Sequence, residues 1–110
     1  MVQTVTDDAP LNVATAVEDG VARVAIQGEL DLDRSDEVAA ELAALSGRGA
    51  TSVIVDVSAL SFIDSSGLRA LLTAREQLES AGTRLHLTNL SPAVERVLDM
   101  TGTRDLLSGE

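Results

Sequence analysis

The chain has 110 residues, the size of one domain, and 45% of them are hydrophobic, which allows an apolar core without covalent staples. Its formal net charge is −10, and an acidic surface repels nucleic-acid phosphates and anionic lipid headgroups. The chain lacks cysteine and has one histidine, which excludes disulfides, thiolate metal sites and multi-histidine metal sites.

The first part of the chain is predicted to form a flexible tail, residues 1–10, followed by a β-hairpin. Apolar residues alternate from Leu11 to Val17, as expected of a strand with one buried face. Asp19-Gly20 is a hairpin turn signal, and Val21–Ile26 is the predicted second strand. The domain is therefore expected to occupy residues 11–110 and to begin with an antiparallel pair.

A helix and a buried strand are predicted next. Gly28 to Asp31 leaves the hairpin, Asp33 is the expected N-cap of the helix, and the helix stops near Gly47 to Gly49. The run Val53 to Val57 is almost entirely β-branched, which favours a central strand buried on both faces. The short connection that follows is expected to turn three side chains inward, namely Leu60, Phe62 and Ile63.

Helices and strands alternate through the rest of the chain. A second helix opens at Asp64 and ends at Gly82, Arg84–Thr88 is a further strand, and Ser91-Pro92 begins a last helix. Right-handed crossovers make strands that alternate with helices parallel. The predicted fold is a single α/β domain with a mixed sheet of four to five strands, opening with an antiparallel hairpin, and helices mostly on one face.

The segment Asp64-Ser65-Ser66-Gly67 lies where a strand gives way to a helix, the usual position of sites in open α/β sheets. Either Asp64 or Ser65 is sufficient as the N-cap of the helix. The other polar residues of this segment are not needed for capping, which favours a functional role for them. Gly67 weakens a helix by about 1 kcal/mol relative to alanine, and we interpret it as clearing space for a partner's backbone. A phosphate on a serine here would meet unpaired N–H groups.

These residues resemble the signature of STAS domains, and specifically of anti-sigma factor antagonists. Gly28-Glu29-Leu30-Asp31 is similar to a second segment of that family. Ser91 to Val94 and Asp99 to Gly102 are similar to a third. The resemblance extends over roughly residues 11 to 107, with the segments in the family's order, and it implies a STAS-like fold.

The resemblance also implies a mechanism. An unphosphorylated antagonist binds an anti-sigma factor that is also a serine kinase, the kinase phosphorylates the antagonist to end binding, and a PP2C-type serine phosphatase reverses the modification. By position the phosphoacceptor is Ser65, with Ser66 as the fallback. Asp31, Asp64, Ser66 and Gly67 are the expected partner-binding residues.

Two other functions remain open at this stage. One is a STAS scaffold or transport-accessory subunit without a phosphorylation switch. The other, an enzyme or nucleotide-binding domain, is disfavoured because the chain has no lysine, no glycine-rich phosphate loop and no catalytic constellation. We expect no enzymatic activity, no cofactor, no metal, and no direct nucleic-acid or membrane partner. The lack of a signal pattern or a bilayer-length apolar run favours a cytoplasmic location.

Overall fold

The computed structural model describes residues 11–108; the predicted N-terminal tail lies outside them. The strands are β1 (Leu11–Glu18), β2 (Val21–Leu30), β3 (Ser52–Asp56), β4 (Leu60–Ile63) and β5 (Arg84–Thr88). The helices are α1 (Leu32–Ala43), α2 (Ser65–Ser80), α3 (Pro92–Thr101) and α4 (Arg104–Ser108). A 3-10 helix, Ala44–Arg48, extends α1.

The strands form one mixed sheet, as the sequence predicts, and four of them lie in the order β1-β2-β3-β5. β1 pairs antiparallel with β2, and all other pairs are parallel. The first half of β2 pairs with β3, and its second half, from Gly28 to Leu30, pairs with β4. β4 therefore replaces β3 as the neighbour of β2 near the carboxyl end of β2, in a region that is predicted from the sequence to be a connection.

Gly28 marks a bulge in β2, where the pairing register with β4 shifts. Its φ of 109° lies in the region that favours glycine. The prediction that the chain leaves the strand at Gly28 is wrong, because the strand bends at this bulge and continues to Leu30.

The core lies between the sheet and the helices. Alternate strand residues are buried, and α1, α2 and α4 contact β2 or β5. The opposite sheet face is only partly covered: Ile54, Asp56 and His86 are half-buried there. The expectation that β3 is buried on both faces is therefore wrong, since the helices cover one face. His86 lies between the buried Leu85 and Leu87 and points away from the core.

Phe62 also departs from its predicted placement. Leu60 and Ile63 are buried, but Phe62 is 45% exposed. The four residues of β4 have their two buried side chains at the ends, so the middle pair faces outward. The largest apolar side chain of this strand is thus available at the surface.

Candidate functional site

Two helix N-termini lie side by side at the carboxyl ends of β2 and β4. Leu30, the last residue of β2, is the register partner of Ile63, the last residue of β4. The next residue in each case is an aspartate that caps a helix: Asp31 for α1 and Asp64 for α2. Parallel pairing of the strands therefore places the two capping carboxylates at one edge of the sheet.

The α1 cap differs from the sequence prediction. Asp31 accepts a hydrogen bond from the backbone N–H of Asp33 at 3.1 Å, so Asp33 is in the first helical turn. The cap comes two residues earlier than predicted because β2 runs directly into α1. At α2 the cap is Asp64, one of the two predicted candidates, and it accepts a hydrogen bond from the N–H of Gly67 at 2.9 Å.

A chain of side-chain hydrogen bonds joins the two caps. Ser66 donates to Oδ1 of Asp64 at 2.5 Å, and the hydroxyl oxygen of Ser35 lies 3.2 Å from that of Ser66. Ser35 also lies 2.6 Å from the carbonyl oxygen of Asp31. Since a serine has one hydroxyl proton, Ser35 shares its proton between Asp31 and Ser66. The network ties the first turn of α1 to the first turn of α2.

Ser65 and Ser66 are in different environments although they are adjacent. Ser65 is the first residue of α2 and is exposed, and its hydroxyl has no hydrogen-bond partner among residues 11–108. Ser66 is half-buried and bonded to Asp64. A modifying enzyme can thus reach the hydroxyl of Ser65 without breaking the network, whereas modification of Ser66 requires that its bond to Asp64 be lost.

Gly67 is buried, and the backbone that approaches it belongs to this chain. A Cβ at this position would lie 2.7 Å from the carbonyl oxygen of Leu30 and 2.9 Å from Cγ1 of Ile63. The expectation that Gly67 makes room for a partner's backbone is therefore wrong. Its missing side chain lets α2 lie close to the end of β2, which brings Ser65 and Ser66 up to α1.

The electrostatics of the site are dominated by carboxylates. The hydroxyl of Ser66, with the N–H of Gly67, holds the pKa of Asp64 below its ordinary value, although burial acts in the opposite direction. Asp31 and Asp36 add negative charge at the start of α1. Helix N-termini favour such charge through their unpaired N–H groups.

A groove of about 360 Å³ runs between α1 and α2 beside Ser65. Leu32, which is 75% exposed, Asp36 and Arg69 contribute to its lining. Small side chains such as Ala39 and Ala70 lie along the same groove. The groove thus combines one large, exposed apolar side chain with polar and charged groups at the two helix starts.

Sequence reasoning missed Ser35, Leu32 and Arg69. Ser35 is 4% exposed and shares the buried stripe of α1 with Val38 and Leu42. The sequence feature that indicates Ser35 is a small polar residue at helical spacing within an otherwise apolar stripe. Arg69 follows Ser65 by four residues, and this spacing in the sequence already indicates that the two side chains are neighbours on the helix.

Asp56 lies outside this network. It accepts hydrogen bonds from the N–H of Ser58 at 2.8 Å and from the amide of Asn89 at 3.0 Å. These bonds, that of Ser58 foremost, lower its pKa. Asp56 is thus a polar residue near the sheet end whose carboxylate is satisfied by hydrogen bonds.

Within residues 11–108, no three histidine, cysteine or acidic side chains are grouped so as to hold a metal ion. In the same part of the chain, no helix combines the length and apolar character needed to cross a membrane.

Known proteins resemble the chain over nearly its whole length. The STAS domain family model matches residues 12–108. BtrV of Bordetella bronchiseptica, provisionally named an anti-sigma factor antagonist, is 33% identical over 84 residues, covering 76% of this chain and 72% of BtrV. The anti-sigma-B factor antagonist of Staphylococcus epidermidis is 29% identical over 97 residues, covering 88% of this chain and 90% of that protein.

Solved structures agree with these matches. The anti-sigma factor antagonist SpoIIAA in its unphosphorylated form superimposes with a TM-score of 0.74 and 26% identity, over 88% of this chain and 84% of SpoIIAA. The Bacillus SpoIIAA in its phosphorylated form gives a TM-score of 0.65 and 28% identity, over 84% and 83% of the two chains. The predicted family and fold are confirmed: this chain belongs to the STAS domain family.

Proposed function

We propose that this chain is an anti-sigma factor antagonist, which binds an anti-sigma factor serine kinase and is switched off by phosphorylation of Ser65. It acts as a binding protein and not as an enzyme, and through its partner it regulates sigma-factor-dependent transcription. Related proteins that carry this name support the first part. A PP2C-type serine phosphatase is the expected partner that reverses the switch.

The environment of Ser65 is the observation that carries the proposal. Its hydroxyl is exposed at the first position of α2, while the hydroxyl of the neighbouring Ser66 is bonded to Asp64. This contrast favours Ser65 over the fallback acceptor Ser66. SpoIIAA, which has a similar fold, has been solved in a phosphorylated form.

The proposed docking surface comprises Asp31, Leu32, Asp64 and Ser65, together with the groove between α1 and α2. Ser66 and Gly67 support this surface from behind: Ser66 holds Asp64, and Gly67 allows the close packing of α2. A phosphate on Ser65 would add about 1.5 to 2 negative charges at pH 7. It would lie beside the exposed Leu32. There its volume and its bound water would prevent an apolar contact between Leu32 and the partner protein.

The experiment is phosphorylation by a purified anti-sigma factor serine kinase with ATP, with the modified residue mapped by mass spectrometry. We expect phosphate on Ser65 in the wild type and none in Ser65→Ala. Ser66→Ala is the matched control, and it should still be phosphorylated on Ser65. Phosphate on Ser66 in the wild type would retain the function and correct the site.

Binding is measured by calorimetry with the same kinase, before and after phosphorylation. We expect binding by the unmodified protein and its loss after the phosphate is added, with recovery after treatment with a PP2C-type phosphatase. Absence of phosphorylation, together with binding that Ser65→Asp does not change, would reject the switch. That result would favour a scaffold or a transport-accessory subunit.

A further inference from the structure

We propose that Arg69 is the intramolecular partner of the phosphate on Ser65. This inference rests on the proposed function, because it concerns the phosphorylated state. Arg69 follows Ser65 by four residues in α2, and both side chains line the groove between α1 and α2. Side chains four apart in a helix are neighbours, with Cβ atoms about 5–6 Å from each other, and an anion that precedes a cation has the favourable orientation.

Arg69 has no carboxylate partner among residues 11–108. The ion pairs in this part of the chain use other arginines, namely Arg34, Arg75 and Arg104. Arg69 is exposed, and it is the basic residue among those that line the groove. Its guanidinium is therefore available to a new anion, and it can bind a phosphate through two parallel hydrogen bonds.

The carboxylates around Ser65 would repel a phosphate on this residue, so a nearby cation would stabilise it. Asp36 lies in the same groove, and the capping carboxylates of Asp31 and Asp64 are at the adjoining helix starts. A phosphate dianion placed there is repelled by these groups. Arg69 offsets that repulsion and draws the phosphate toward the groove.

The position of the phosphate decides how the switch works. When Arg69 binds the phosphate, the phosphate covers the groove beside Leu32. It also pairs with the Arg69 guanidinium, which a partner protein can contact when Ser65 is unphosphorylated. A phosphate without this contact would project from the start of α2 and act mainly through its charge.

The test uses the full chain with phosphoserine incorporated at position 65 during synthesis, and the titration of the phosphate by ³¹P NMR. The second pKa of a phosphoserine is about 6. We expect this pKa to rise by roughly half a unit in Arg69→Gln, since removal of an adjacent cation disfavours the dianion. Arg84→Gln is the matched control: Arg84 is exposed at the amino end of β5, at the opposite edge of the sheet, and its loss changes net charge equally.

An unchanged pKa in Arg69→Gln, or an equal rise in Arg84→Gln, would overturn the inference. Circular dichroism of each variant checks that the fold is retained. Because the phosphoserine is installed without a kinase, this result is independent of the kinase assay. Lack of phosphorylation by the kinase would reject the proposed function, whereas a phosphate insensitive to Arg69 would reject the inference alone.

Discussion

The hydroxyl oxygens of Ser35 and Ser66 lie 3.2 Å apart and connect the first turns of α1 and α2. They are 31 residues apart in the chain, and each also contacts the cap of its own helix. This contact links the N-terminus of α1 to the N-terminus of α2, where Ser65 lies. Its energetic contribution is measurable, because each serine can be replaced by alanine with little loss of volume.

A double-mutant cycle tests this connection. We expect Ser35→Ala and Ser66→Ala each to lower the free energy of unfolding by about 1 kcal/mol, the usual contribution of such a hydrogen bond. The double variant should lose roughly 0.5–1 kcal/mol less than the sum of the two, because residues in one network are coupled. Urea unfolding at pH 7 measures all four proteins, and additivity would contradict the observed contact.

Substitution of Gly67 tests its role in packing. A methyl group at this position would meet the carbonyl oxygen of Leu30 at 2.7 Å. We expect Gly67→Ala to lower the free energy of unfolding by about 1–3 kcal/mol, as overpacking usually does, despite the helix propensity of alanine. Thermal or urea unfolding measures this change.

Gly47→Ala is the control for this substitution. Gly47 lies in the 3-10 helix after α1, and a Cβ there would have no atom within 4 Å. We expect a change in unfolding free energy of no more than about 0.5 kcal/mol. Equal destabilisation by both substitutions would show that the close approach of Leu30 is not the cause.

The cap of α2 should make stability depend on pH. The pKa of Asp64 in the folded protein is below its ordinary value because of the bonds from Ser66 and Gly67. Its contribution is therefore fully present above about pH 4, the pKa of an unperturbed aspartate, and is lost as the pH falls through the lower folded pKa. We expect the stability difference between wild type and Asp64→Asn to be largest near neutral pH and to shrink below pH 4.

Thermal unfolding between pH 2 and pH 7 measures this difference. Asparagine is itself a good N-cap, so the variant isolates the charge of the carboxylate from the capping geometry. Asp36→Asn removes the same charge from an exposed position of α1 and is the control. A difference for Asp64→Asn that is constant across the pH range would contradict the charged hydrogen bonds described for this residue.

Leu32 tests the proposed docking surface. Its side chain is 75% exposed, so Leu32→Ala should change the free energy of unfolding by less than about 0.5 kcal/mol. We expect the same substitution to weaken binding to the anti-sigma factor serine kinase at least about fivefold, equivalent to the loss of about 1 kcal/mol of apolar burial. Calorimetry with the purified kinase measures the affinity.

Met100→Ala is the control for this binding experiment. Met100 is 77% exposed but lies on α3 and is not part of the groove. It should leave the affinity unchanged. Equal binding by wild type and Leu32→Ala would place the partner on another surface.

Most of the predicted elements depend on short-range patterns, and the structure contains them. The alternation from Leu11 to Val17 forms β1, and Asp64 caps α2 as predicted. The wrong predictions concern residues whose conformation or orientation depends on pairing with a neighbouring strand. The strand is predicted to end at Gly28 because a glycine at a bulge and a glycine that ends a strand look alike in sequence. Phe62 is predicted to point inward, whereas β4 turns it outward.

The sequence by itself determined the order of strands and helices except for β4 and α4, together with the family and the candidate phosphoacceptor, because period, caps and motif residues are encoded within a few positions of one another. The tertiary structure alone decided which of these residues meet. The pairing of Leu30 with Ile63 sets the two caps side by side, and the packing of Gly67 on Leu30 brings Ser66 to Ser35. These contacts join residues more than 30 positions apart, so they depend on strand register and helix packing, which no local pattern specifies.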